Sequence, residues 1–291
     1  MGTNQPEKEK RVLSIMTSYQ MVATIEALEN AGATLELLKL VRGNKDFAKV
    51  IIEAGITFLE SFYPNDETES EYGYPDGYVI KSLSEQIEST VCFFDLEQED
   101  YGNAMRYACS LPELPSGAEG WFAIPKWQAV ARTYGEAVEK MLSLLGHIRP
   151  LENWREDHLG EKYLRQSERS ERMFATICEQ QMGNIILFPA QFGLSHRGRS
   201  TRRARKVFVD NEFGLGAFSS GCMLLTHSKR EQVDFGQIHI DCPGDEYISD
   251  GGSGPFVCAP SFFFNTDKIH FQVSWVGGTN SQSAPASGFV F

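Results

Sequence analysis

Apolar residues recurring every three to four positions mark the helical parts of this chain. Over residues 18–30, Met21, Val22, Ile25 and Leu28 share one face, and Ala31-Gly32 stops the run. Thr34 stands where a cap for a second helix through Val41 belongs, and Gly43-Asn44 restarts a third carrying Phe47, Val50 and Ile51. The clearest stripe follows Pro125. Trp127, Val130, Tyr134, Ala137, Val138, Met141 and Leu145 keep the helical period as far as Gly146, which predicts one long core helix. Another long helix is expected over 159–181, where Tyr163, Phe174 and Ile177 line one side of a charged surface and Gly183 closes it.

Strand signals are fewer in the first half. Residues 63–115 are rich in Gly, Pro and acids, with one strand expected at 90–96, and 184–189 (Asn-Ile-Ile-Leu-Phe-Pro) reads as a short buried strand. Beyond residue 234 the pattern turns to strands at 237–242, 257–264 and 268–275, the last two joined as a hairpin at Asn265-Thr266-Asp267. Helices ahead of a strand-rich half predict an α+β fold. The expected organisation is a mainly helical N-terminal region over 1–115, including the acidic irregular segment, followed by a mixed helix and sheet domain over 116–291. The boundary falls in the turn-rich Leu111-Pro-Glu-Leu-Pro-Ser-Gly117.

Composition narrows the class. With 291 residues, 42% of them hydrophobic, the chain has ample material for a packed core. No apolar run approaches the roughly 20 residues of a membrane span, and the first ten residues are polar and charged, so a cytoplasmic protein without membrane contact is expected. Six cysteines (92, 109, 178, 222, 242, 258) form no Cys-x-x-Cys pair and read as reduced, mostly buried thiols. A net charge of -12 excludes coating of nucleic acid by the whole surface, so any such contact must be local. The three N-terminal helices have the lengths of a helix-turn-helix, but Lys39, Arg42, Lys45 and Lys49 alternate with Glu36, Asp46 and Glu53, which reads as plain helical packing.

Against this acidic background, residues 196–206 read His-Arg-Gly-Arg-Ser-Thr-Arg-Arg-Ala-Arg-Lys, and the arginine fork fits phosphate oxygens bidentately. A strand ending at Pro189, a loop with Gly193 and Gly198, and a helix from Ser200 or Thr201 would form a strand-loop-helix whose N-terminus attracts anions. His196, Arg197, Arg199, Ser200, Arg202 and Arg203 are therefore the candidate phosphate-binding residues, with nucleic acid or a nucleotide as partner and Phe192, Trp121 and Trp127 available for stacking. The alternative is that these arginines pair with the chain's own carboxylates. Residues 66–100 alone hold eleven acids against the single base Lys81. Self-association follows if the basic helix meets that stretch in a neighbouring copy.

A second candidate lies at 238–246. Alternation places His239 and Asp241 on one face of a strand, and the Pro-Gly break brings Asp245 and Glu246 to its end. Asp241, Asp245 and Glu246, with Asp250, are candidate ligands for Mg²⁺, and together with the arginines they would make a metal-dependent enzyme acting on a phosphate ester. The plain reading is an acidic turn after an edge strand. Cys222, His227, His239, Cys242 and Cys258 include enough soft ligands for zinc, at spacings that fit no familiar finger. Gly193-Leu-Ser-His-Arg197 lacks the last glycine of a nucleophile elbow, and Gly214-Leu-Gly-Ala-Phe-Ser219 lacks that of a dinucleotide loop.

The stretches 121–125 (Trp-Phe-Ala-Ile-Pro), 189–205 (Pro-Ala-Gln-Phe-Gly-Leu-Ser-His-Arg-Gly-Arg-Ser-Thr-Arg-Arg-Ala-Arg), 211–218 and 240–247 resemble those of a group of uncharacterised bacterial proteins. This resemblance spans roughly 120–291 and implies no activity or cofactor.

Overall fold

The computed structural model describes residues 34–50, 66–71, 73–74, 78–227, 239–248, 256–264 and 268–291. The chain divides between Pro64 and Asn65 into two units. In the first, helix α1 (Leu35–Gly43) starts where Thr34 accepts the backbone N–H of Leu37 at 3.3 Å. Residues 45–50 are helical too, and the Asn44 side chain accepts from Asp46 and Phe47 N–H, both at 3.0 Å. The helix expected over 18–30 lies outside the described residues.

The second unit has an α+β fold built on two sheets. A four-stranded antiparallel sheet has the order β1-β4-β10-β5, with β1 at Gly120–Pro125, β4 at Ile185–Gln191, β5 at Glu212–Gly214 and β10 at Ser287–Phe289. The other sheet runs β2-β9-β8-β7-β3, from β2 (Leu151–Asn153), β3 (Leu164–Gln166), β7 (Asp245–Ile248), β8 (Phe256–Phe264) and β9 (Ile269–Trp275). β6 (His239–Asp241) pairs with β8 as well, and among the strand pairs of the described residues only β2 against β9 is parallel. β8 and β9 pair as expected, with Phe264 opposite Ile269; the turn residues 265–267 lie outside the described residues.

Strand β4 is buried along its whole length because helices cover both faces of its sheet. Helices α2 (Leu83–Phe94) and α3 (Gln98–Ala108) pack on one face, where Ile87 and Ala104 meet Ala123, Ile185 and Leu187. On the other face, Phe122, Ile124, Ile186 and Phe188 join the main core with α6 (Glu168–Gln180) and α8 (Ala217–Thr226). A strand covered on both sides reads as a continuous apolar run rather than an alternation, which explains Ile-Ile-Leu-Phe. The edge strand β1 is sealed by a side chain: Gln86 donates to Trp121 O at 3.0 Å and accepts from Ala123 N–H at 3.0 Å.

Three expectations need correcting. Residues 90–96 belong mostly to α2 rather than to a strand, because Ser82 and Glu85 form a capping box and Gln86, Ile87, Thr90 and Phe94 bury one helical face. The stripe after Pro125 is not one helix: Pro125 ends β1, Trp127–Val130 is a short helix α4, and α5 (Tyr134–Ile148) begins at a second capping box made by Thr133 and Glu136. Over 159–181 only Glu168–Gln180 is helical, and Leu164–Gln166 is a strand. The boundary between the two units falls at 64/65, and α2 and α3 cover the central sheet.

Candidate functional site

The arginine segment folds as the expected strand-loop-helix. After β4 comes a 3₁₀ turn at Leu194–His196, and helix α7 (Thr201–Val207) starts where Ser200 accepts the N–H of Arg203 at 3.1 Å. Buried Gln191 holds the loop, accepting from the N–H of Gly193 and Ser195 and donating to Pro285 O. At Gly198 φ is +73° and a Cβ would sit 2.1 Å from Thr68 O, so only glycine lets segment 66–70 lie against the loop. The approach is held by Thr68 N–H to Gly198 O at 2.7 Å and Ser200 N–H to Asp66 O at 2.8 Å.

That neighbouring segment carries the arginines' partners. Arg202 grips Asp66 bidentately at 2.8 and 2.7 Å, Arg203 meets Glu67 at 2.5 Å, and Arg199 reaches the same Glu67 oxygen at 3.3 Å. The Arg203 hydrogen bond holds the Glu67 carboxyl below the usual range. Arg205 donates to two backbone carbonyls, Pro243 at 2.8 Å and Asp245 at 2.6 Å. Arg199 also donates to Nδ1 of buried His196 at 2.8 Å, leaving Nε2–H to bond Glu212 at 2.6 Å. Burial pushes the Glu212 carboxyl up, but the His196 and Ser287 hydrogen bonds outweigh it and the net shift is downward. All six expected phosphate residues interact within the chain, His196, Arg199, Ser200, Arg202 and Arg203 through the bonds above, and Arg197 is exposed at the loop surface.

Of the carboxylates expected to hold Mg²⁺, Asp250 lies outside the described residues, and Asp241, Asp245 and Glu246 are not brought together. Asp241 accepts from Ala284 N–H at 3.1 Å, and Glu246 pairs with Arg165 at 2.7 Å on the sheet surface. Asp245 is fully buried and accepts from Tyr134 OH and Ala217 N–H, both at 2.7 Å. It thereby caps α8, whose own N-cap Gly216 has no side chain to offer and no room for one: a Cβ there would lie 2.2 Å from Asp245 Oδ1. Burial pushes the Asp245 carboxyl up to about 7, with the Ala217 and Tyr134 bonds pulling the other way. Alternation of strand residues and the two-residue turn send these acids to separate places. Among the described residues no three His, Cys, Asp or Glu side chains could hold a metal ion, and the zinc set is divided likewise: His227 accepts from Lys81 N–H at 3.1 Å, and Cys242 lies against Ile240 O.

A cavity of about 330 Å³ opens elsewhere, between the ends of β1 and β4 and helices α4, α6 and α8. Its walls are Ile124, Pro125, Trp127, Tyr134, Phe174, Ala175, Ile186 and Phe218, with Lys126, Gln128, Gln166, Glu171, Cys178, Glu179 and Ser219 as the polar groups. The break at 131–133 turns Trp127 out of line with α5, so its ring meets Tyr134 edge-on at 6.0 Å between centroids. Tyr134 spends its hydroxyl on Asp245 and gives the cavity its ring. Lys126 Nζ donates to the carbonyls of Cys178 at 3.2 Å and Gln181 at 3.1 Å, so its charge caps the C-terminus of α6. Burial raises the Cys178 thiol above its ordinary value, the opposite of an activated nucleophile.

Compared with protein-family models, curated proteins and solved structures, the chain matches none of them. The helical period had placed Trp127 and Tyr134 in a core stripe, and Phe174 beside Ile177 on another. The available signal was Thr133-x-x-Glu136, a capping box that starts a new helix and frees Trp127 from the stripe.

Proposed function

We propose that this protein binds a small organic molecule in the cleft between its central sheet and helices α4, α6 and α8. The observation that carries the reading is the cavity itself: about 330 Å³, walled by four aromatic rings, with a handful of polar groups at its margins. Ligand sites have this size and character. Binding rather than covalent chemistry is favoured because the one thiol in the wall is pushed toward its protonated form and Lys126 is bonded to carbonyls. The arginine unit takes a structural part in this reading. Its pairing with Asp66 and Glu67 supports an internal clamp that fixes segment 66–70 to the loop and α7.

The test is a fragment panel read by thermal unfolding, run on wild type and on Ala175→Trp. Ala175 is exposed on α6 at the cavity wall, so the indole blocks the mouth without entering the core. Fragments that stabilise wild type and leave Ala175→Trp unmoved are the expected result. Equal stabilisation of both proteins would contradict the proposal.

A further inference from the structure

We infer that the ligand of this cleft is an organic cation, an amine or quaternary ammonium carried on a small apolar body. The inference rests on the proposed binding function and adds the charge of the ligand. Trp127, Tyr134, Phe174 and Phe218 surround the space, and ring faces attract cations, tryptophan most strongly. Tyr134 cannot act as a phenol donor here, because its hydroxyl is already given to Asp245. What it presents is an electron-rich ring.

The charged groups around the cavity agree with this assignment. Glu171 and Glu179 stand on the cleft side of α6, two helical turns apart and separated by about 12 Å along the axis. Both are exposed, and their carboxylates make no side-chain hydrogen bond or ion pair within the described residues, so they can turn toward a ligand. The single cation in the lining, Lys126, is held by two carbonyls at the end of α6, which leaves the cleft with a net negative surround. An anionic ligand would face two carboxylates and a neutral one would gain nothing from them, whereas a cation is attracted by both. A net charge of -12 adds a long-range field that draws cations toward the surface.

Three probes of similar shape separate the possibilities: benzyltrimethylammonium, benzyl alcohol and benzoate, each titrated into the full chain while the Trp127 indole N–H resonance is followed. Trp127→Phe identifies that resonance. The cation should bind tightest, and Glu171→Gln/Glu179→Gln should weaken it about three- to tenfold while leaving benzyl alcohol unchanged. Trp127→Leu, read by ligand-induced thermal stabilisation because the indole is gone, should likewise weaken the cation more than the alcohol. Equal affinity for cation and alcohol, or tighter binding of benzoate, would overturn the cation assignment and leave the cleft as a binding site. Failure of all three probes to move the Trp127 signal would overturn the cleft and the cation assignment together.

Discussion

Single side chains decide how the basic segment is used. Arg202 and Asp66 form a bidentate, partly buried pair, with side-chain exposures of 26% and 12%, whereas Arg203 and Glu67 are each 44% exposed. Exposed pairs contribute at most about 1 kcal/mol, while a charged hydrogen bond shielded from water contributes about 1.5–3 kcal/mol. Arg202→Ala should therefore lower unfolding stability by roughly 2 kcal/mol in urea titration, and Arg203→Ala by less than about 1 kcal/mol. Equal, negligible effects would remove the clamp.

Asp245 gives a prediction with a definite sign. Its carboxyl moves from 3.8 to about 7 on burial, so the folded state holds a proton that the unfolded chain has released. The stability this provides is fully present below about pH 4 and is lost as pH rises through 7. His227 acts in the opposite sense: burial lowers it to about 4, and its contribution is lost as pH falls from 6.5. Asp245→Asn should keep the α8 cap through its amide oxygen and abolish a decline on the order of 1.4 kcal/mol per pH unit across pH 4–7. Comparing wild type with the variant by urea unfolding at several pH values cancels the His227 term. Parallel pH curves for the two proteins would contradict the assignment.

At the scale of elements, the start signals outweigh the periodicity that follows them. The stripe from Trp127 to Leu145 has a helical period throughout, yet the helix restarts at Tyr134, because Thr133 and Glu136 satisfy the first backbone N–H groups there. Thr133→Ala should cost about 1 kcal/mol and loosen the α4–α5 junction beneath Trp127. Hydrogen exchange at Tyr134–Glu136 would report it, and unchanged protection there would count against the cap's role. The same kind of signal, Ser82 with Glu85, explains why Thr90–Phe94 is helical despite its β-branched and aromatic residues.

What could be read from the chain was local. The α+β class, β4, β8, β9, the Thr34 cap and the strand-loop-helix with Ser200 at its start all follow from patterns within a dozen residues. The partners were not legible in that way. Asp66 and Glu67 meet arginines more than 130 positions away, and Asp245 caps a helix that begins 28 residues before it. The cleft was equally hidden, since its walls come from β1, β4, α4, α5, α6 and α8 and no single stretch carries its signature.

In the 65–291 unit, charge and burial divide the surface. The basic segment, the most conspicuous feature of an acidic chain, is stitched to Asp66 and Glu67, and the sheet that bears it is covered by helices on both faces. No helix of the described residues is long and apolar enough to cross a membrane. The aromatic cavity beside β1 and β4 is the proposed site for a guest. Its occupancy is tested most directly by the ¹H–¹⁵N resonance of the Trp127 indole during addition of small aromatic fragments, with Ala175→Trp as the blocked control. The account predicts saturable shifts of Trp127 in wild type that vanish in Ala175→Trp, with Trp121, Trp154 and Trp275 unmoved in both. A silent Trp127, or shifts shared by all four indoles, would contradict it.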